Sequence, residues 1–227
     1  MAASARVEAM KSLRPEDLTP DRALIFRITH VKNLPWVLEN GLHCSNSQVR
    51  DPNFIPIGNH DLIVKRVHQE VRVGPGGTLA DYVPFYFTPW SPMQMNILTG
   101  HNVRQRRPEE VGFVVTSLPK LEAADVPYVV SDRHAYVRWA KFVEGRERLA
   151  SLVPWDSLRA RNFKWDPENP EAFERYQAEA LVYEHLPVEA ILGLACYTDT
   201  IKSELDRTLA ESGIELPTAV RRDWYFR

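Results

Sequence analysis

The sequence is poor in cysteine. Cys44 and Cys196 are its only two, and they lie far apart with no CxxC and no paired histidine spacing. That pattern argues against a disulfide framework and against a structural zinc site, so no metal is expected. A charge excess of one sign is missing too: 28 Lys and Arg face 30 Asp and Glu, a formal net charge of −2. Such a balance gives no global attraction to nucleic acid, but a local basic patch stays open because affinity follows the local field. There is no apolar run of spanning length and no signal-peptide core after Met1. The expectation is a cytoplasmic chain without a membrane partner. No Gly/Ser-rich or charge-only linker divides the 227 residues, which suggests an N-terminal extension over 1–22 and one domain over 23–227. The common chemical signatures are lacking as well. GPGG at 74–77 is neither a GxxxxGK[ST] loop nor a spaced GxGxxG, and no GxSxG, HExxH or EF-hand loop occurs.

What is present is an ordinary globular mixture, 44% hydrophobic and 26% charged. The first twenty residues read as a short helix and a Pro-marked entry. Residues 23–29, ALIFRIT, read as a strand, and LPWVLENG at 34–41 as a short helix closed by Gly41. Residues 43–61 look loop-like. Residues 60–72 can be written as a helix with Leu62, Ile63 and Val67 inside, leading to the turn cluster 73–81. YVPFYF reads as a strand, TPWSPM as a turn that its prolines keep from becoming helix, and QMNILTG as a helix ending at Gly100. Strands are expected at 112–117, 127–132, 180–187 and 190–198, a helix at 134–150, irregular chain at 151–168, and an amphipathic helix at 199–213. Strands mixed with single short helices define an α+β class.

Several residues can carry chemistry. Glu179 sits where a polar segment enters an apolar strand, so its carboxylate can face a cleft; a solvated strand-edge residue explains the pattern equally, and Glu174 and Glu184 match it as well. Lys65 and Arg66 lead into the Gly-rich turn. A basic pair is usually a solvated face, but arginine also grips phosphate bidentately and stacks on bases. Asp132, Arg133 and His134 end a strand together, with Asp132 open to a plain N-cap role. His30 ends the first strand. The stretch DYVPFYFTPWSPM packs Tyr82, Phe85, Tyr86, Phe87 and Trp90 among three prolines. Alternation puts Tyr82, Pro84 and Tyr86 on one face of a strand and Val83, Phe85 and Phe87 on the other, the second set suited to a core. By these residues alone no reaction is named.

The order of the pieces says more. IFRITHVKNLPWVLENGL, then GPGGTLADYVPFYFTPWSPM, YVVSDRHA, RYQAEALVY and a terminal RRDWYF together resemble the DarT family, from about residue 23 onward. Members are toxins of toxin–antitoxin systems that attach ADP-ribose from NAD to bases of single-stranded DNA. The resemblance implies an ADP-ribosyltransferase fold, with a split β-sheet core, a central NAD cleft and peripheral helices. It implies Glu179 and Arg66 as catalytic residues. Arg27, Thr29, Asn33 and Tyr86 fall at NAD-binding positions, and His134, Arg133, Trp90 and Lys65 at the DNA. A cognate antitoxin that removes ADP-ribose is implied as a partner. One departure stands out: many members have His-Ile-Thr-His where this chain has Arg27-Ile28-Thr29-His30. Because the thymine-modifying members are associated with that first His, the departure leans toward guanine over thymine. Transfer to RNA or protein, or an inactive nucleic-acid-binding module, remain alternatives on the same fold.

Overall fold

The computed structural model describes residues 13–226. The helix read into the first twenty residues falls largely outside them. Within them, Leu13 and Leu18 bury themselves in the main core. In chain order the elements are β1 (Leu24–His30), α1 (Leu34–Asn40), β2 (Leu42–His43), α2 (His60–Arg66), β3 (Tyr82–Tyr86), α3 (Pro92–Thr99), β4 (Val111–Ser117), α4 (Leu118–Glu122), β5 (Tyr128–Ser131) and β6 (Phe142–Glu144). They continue with α5 (Leu149–Leu152), α6 (Trp155–Arg159), α7 (Pro170–Tyr176), β7 (Glu179–Tyr183), β8 (His185–Leu186), β9 (Gly193–Cys196), α8 (Asp199–Glu211) and β10 (Thr218–Val220).

The main sheet runs β10-β9-β4-β1-β3-β7-β5-β6, and β2 pairs separately with β8. β1 pairs with β4 along its whole length, from Leu24↔Ser117 to His30↔Val111. β3 pairs with β7 from Tyr82↔Tyr183 to Tyr86↔Glu179. Between β1 and β3 the register holds only Phe26↔Tyr86. The sheet is therefore split at its centre, as the sequence led us to expect. Pro84 supplies a cause. Its carbonyl accepts a bond from the Arg27 guanidinium of β1 at 3.1 Å. In an antiparallel strand the N–H of a residue points the same way as its carbonyl, so the missing proline N–H removes a ladder bond from this seam.

The aromatic stretch 81–93 is mostly core. Phe85, Phe87 and Val83 are buried, as alternation predicts. The turn expected at TPWSPM runs through Trp90, and its last two residues start α3, because the Ser91 hydroxyl accepts the Gln94 N–H and Pro92 occupies the first helical turn. Gly100 closes that helix in the left-handed region. Four expectations fail. Residues 134–150 form two tight turns and then β6, since strand pairing of Val130 with Val143 outcompetes the weak helical spacing. The strand at 180–187 breaks at Glu184, whose φ of 52° redirects the chain into β8. The helix over 60–72 ends at Arg66, and its expected inner face is outside: Ile63 and Val67 are 41% and 43% exposed. The segment 151–168 includes α5 and α6 rather than irregular chain throughout, and β10, next to β9, carried no clear signal.

Candidate active site

Glu179 opens β7 beside the seam, directly across from Tyr86 of β3. It is 1% exposed. Oε2 accepts from Nη1 of Arg66 at 3.1 Å, and Oε1 accepts from the backbone N–H of Ala135 at 3.0 Å. Burial alone would push this carboxyl up. Arg66 opposite it, together with His134 and the Ala135 N–H, outweighs burial and holds its pKa below the ordinary value of 4.5. The Glu179 N–H is held too, by the Ser131 hydroxyl at 3.2 Å, which in turn donates to the Arg133 carbonyl. Glu184, which matched the same sequence pattern, is a positive-φ break residue beyond the strand, and Glu174 is committed elsewhere.

Arg66 arrives from the last turn of α2. That helix is capped by Asn59, whose Oδ1 accepts the Leu62 N–H. Its far end is fixed by the Gly-rich turn: Val71 and Gly77 bond to each other, Leu79 N–H donates to the Gln69 carbonyl, and Gly74 N–H donates to Glu144 at 2.8 Å. Gly74 has φ of 57°, and a Cβ there would lie 2.9 Å from Val129. GPGG thus docks α2 onto β5 and β6. One guanidinium nitrogen of Arg66, Nη2, is buried with no partner. Buried donors are rarely left so, and here the orphan stands beside the buried Glu179 carboxylate.

His134 places Nδ1 3.5 Å from Glu179 Oε1. Burial lowers its pKa; Glu179 pulls it up and Arg66 adds to the fall, so the ring is neutral near pH 7. Nδ1 accepts the Tyr136 N–H, which leaves the ring proton on Nε2 as a free donor. Arg27 lies half-buried beside the same cluster, and desolvation and Arg66 lower its pKa to about 10. It stays cationic. Two guanidiniums against one carboxylate leave a positive excess in a desolvated place, which favours an anionic group. Burial and Glu179 raise the Tyr86 phenol well above its usual range, so it is neutral and donates, here to Met93 Sδ at 3.6 Å.

The remaining expected contacts divide. Lys65 is exposed on α2 next to Arg66. Thr29 and Asn33 are buried and bonded to each other, and the Asn33 amide also bonds both backbone groups of Ile55. Asn33 therefore pins the 43–59 segment to β1, which uses up its amide inside the protein. Trp90, expected as an exposed platform for a base, is 1% exposed. Its Nε1 donates to the Asp223 carbonyl at 2.9 Å, and Arg161 covers the ring at 3.6 Å from the centroid. Its role is to lock the C-terminal tail. Arg133, expected at the DNA, is buried and bound to Asp132 and Glu174. Sequence reasoning missed Ala135 and Pro84, because both act through backbone atoms that leave no signature in residue type. Among the described residues no group of three His, Cys, Asp or Glu is placed to hold a metal.

A split sheet with a buried Glu–Arg pair at its seam defines an ADP-ribosyltransferase fold. A family model described as "ssDNA thymidine ADP-ribosyltransferase, DarT" matches residues 26–226. The chain belongs to the DarT family. A "DNA ADP-ribosyl transferase" of Escherichia coli is 47% identical over 92% of this chain and 96% of its own length. Another from Thermus sp. is 34% identical over 91% of this chain and 98% of its own. The solved structure of Thermus sp. 2.9 DarT with ADP-ribosylated single-stranded DNA superposes with a TM-score of 0.82 at 33% identity, covering 96% of this chain and all of that one. The same Thermus protein with NAD+ gives 0.76 at 32% identity, over 91% and 99% of the two chains.

Proposed function

We propose that this chain moves ADP-ribose from NAD to a ring nitrogen of a base in single-stranded DNA. One observation carries the reading: the Arg66 Nη2 donor, buried and unpaired beside an ionised, buried Glu179. The bond between nicotinamide N1 and ribose C1 breaks, and its electron pair leaves with nicotinamide. The oxocarbenium-like ribose is stabilised by the Glu179 carboxylate. The base nitrogen then forms the new bond to C1, and its proton passes to Glu179 or to water. Arg66 offers Nη2 to a base carbonyl and favours the deprotonated nitrogen. His134 offers Nε2–H to the base or a flanking phosphate. Arg27 and Tyr86 line the NAD side, while Thr29 and Asn33 build its wall. Lys65 meets the DNA backbone. Arg133 and Trp90 serve the scaffold.

The base we propose is thymine. Guanine was favoured by Arg27 standing in a histidine position, but Arg27 spends a bond on the Pro84 carbonyl and closes the sheet seam. Its identity therefore bears on the scaffold before it bears on the base, and the description of the family model favours thymine. A toxin role follows from the reading, with a partner that restrains the enzyme or removes ADP-ribose. Induced expression should stop growth of a bacterial host, and Glu179→Gln should not.

The test is incubation with NAD and four single-stranded DNA oligonucleotides, each lacking one base, beside matching RNA. Nucleosides are then read by mass spectrometry. An adduct that disappears only without thymine supports the whole reading. One that disappears only without guanine overturns the base. Adducts on RNA alone overturn the DNA assignment, since the 2′-OH separates the two substrates.

A further inference from the structure

A second charge cluster lies behind the reacting pair, and the chemistry above does not use it. Residues 132–141 form a closed loop. Asp132 N–H donates to the Lys141 carbonyl at 3.1 Å, and Lys141 N–H returns to Asp132 Oδ1 at 2.9 Å. Inside it run two tight turns, Val137 N–H to the His134 carbonyl and Ala140 N–H to the Val137 carbonyl. This loop supplies both groups that meet Glu179 Oε1, the Ala135 N–H and the His134 ring. One carboxylate oxygen of α7 joins the two limbs of the loop: Glu174 Oε2 accepts Nη1 of Arg133 at 3.2 Å and Nε1 of Trp139 at 2.9 Å, while Asp132 inside the loop accepts Nε and Nη2 of Arg133. The Trp139 ring is otherwise exposed, so its indole N–H is its anchor.

We propose that Glu174 is a positioning residue of the transfer reaction: its Oε2 clamps Arg133 and Trp139, the limbs of the loop on either side of His134 and Ala135, and so fixes the Ala135 N–H and the His134 ring at Glu179. The proposal rests on Glu179 being the reactive carboxylate. Glu171 also approaches Arg133, at 3.6 Å, but from an exposed side chain that does not reach Trp139. The backbone bond from His134 N–H to the Glu174 carbonyl survives any substitution of the side chain, so the loop loosens without being lost.

A loosened loop has a consequence that plain destabilisation lacks. The charged or titratable groups facing Glu179 are Arg66 from α2, Arg27 from β1, Tyr86 from β3 and His134 from the loop. With the loop displaced, Glu179 keeps its burial and Arg66 but loses the Ala135 N–H and the His134 contact. Its protonation then moves upward in pH.

The experiment measures NAD-dependent transfer to single-stranded DNA as a function of pH, in the wild type, Glu174→Ala, Glu174→Gln and Trp139→Phe, with Glu179→Gln alongside. We expect Glu174→Ala to lose about 10- to 100-fold in kcat, the scale set by a displacement near 1 Å at a reacting group. Its acid limb should move to higher pH while KM for NAD stays within about twofold. Glu174→Gln, which keeps the acceptor oxygen, should recover much of kcat. Trp139→Phe, which removes one of the two anchors, should shift in the same direction by less. Should Glu174→Ala fail to fold, Trp139→Phe decides. Wild-type kcat with a wild-type acid limb in Glu174→Ala, or in Trp139→Phe where Glu174→Ala does not fold, overturns the proposal, and so does a fall in kcat with the limb unmoved. Full activity in Glu179→Gln overturns the reading of the site instead, a result separate from either.

Discussion

At the scale of single residues, the proposed chemistry turns on how Glu179 stays ionised inside the protein. Its carboxyl pKa is depressed relative to the unfolded chain, so ionisation contributes stability above about pH 4.5 that disappears as pH falls through the folded value. The urea midpoints of wild type and Glu179→Gln should therefore converge as pH is lowered below 4.5, and a gap that is constant with pH would contradict the depressed pKa. Arg66→Ala should cost more in stability, roughly 3–5 kcal/mol, because it leaves a buried carboxylate without its counter-charge. Thermal and urea unfolding measure this. Sequence gave access to Glu179 and Arg66 only through the order of motifs, because Glu174 and Glu184 fit the local pattern equally. It misplaced Trp90 since ring type does not reveal whether an indole N–H will find a buried carbonyl. It took Arg133 as a free cation, and the two carboxylates that neutralise it lie one and forty-one residues away.

At the scale of elements, the working parts come from segments whose patterning is weak. α2 exposes its apolar side chains and holds Arg66 through a cap and a docked glycine turn. Residues 134–150 read as helix because their apolar spacing is compatible with one, yet Asp132 and His134 offer the backbone local bonds that compete with helix formation. Asn33 illustrates an element-level role that sequence assigned to NAD. Asn33→Ala removes three buried side-chain bonds and should cost about 1–3 kcal/mol. Amide exchange should accelerate most at Ile55, whose N–H donates to Asn33 Oδ1. Exchange at Ile55 unchanged from wild type would show that another contact pins the segment. The regular strands were the legible part: β1, β4 and β9 carry apolar runs buried on both faces, and such runs leave few alternatives.

At the scale of the molecule, two half-sheets meet at a seam that a proline keeps from zipping, and the site occupies that seam. The C-terminal tail closes the structure from behind. Trp224 is fully buried edge-on against Phe26 and Phe113, and Gln94 and Trp90 bond to the tail backbone. Trp224→Ala should therefore destabilise the whole fold by about 3–5 kcal/mol, with the activity per folded molecule retained at permissive temperature. This long-range closure could be read from RRDWYF only as part of a family pattern, because its partners lie more than a hundred residues earlier. No helix among the described residues is long and apolar enough to cross a membrane. The net charge of −2 also leaves the DNA to be held by local cations and not by the molecule as a whole.

The most direct measurement is a paired one on wild type, Arg66→Ala and Glu179→Gln: NAD affinity by calorimetry, and ADP-ribose adducts on single-stranded DNA by mass spectrometry. The account predicts that both variants bind NAD with affinity near wild type. It predicts that their adduct formation falls by about 100-fold or more. Adducts formed by either variant at the wild-type rate would contradict it.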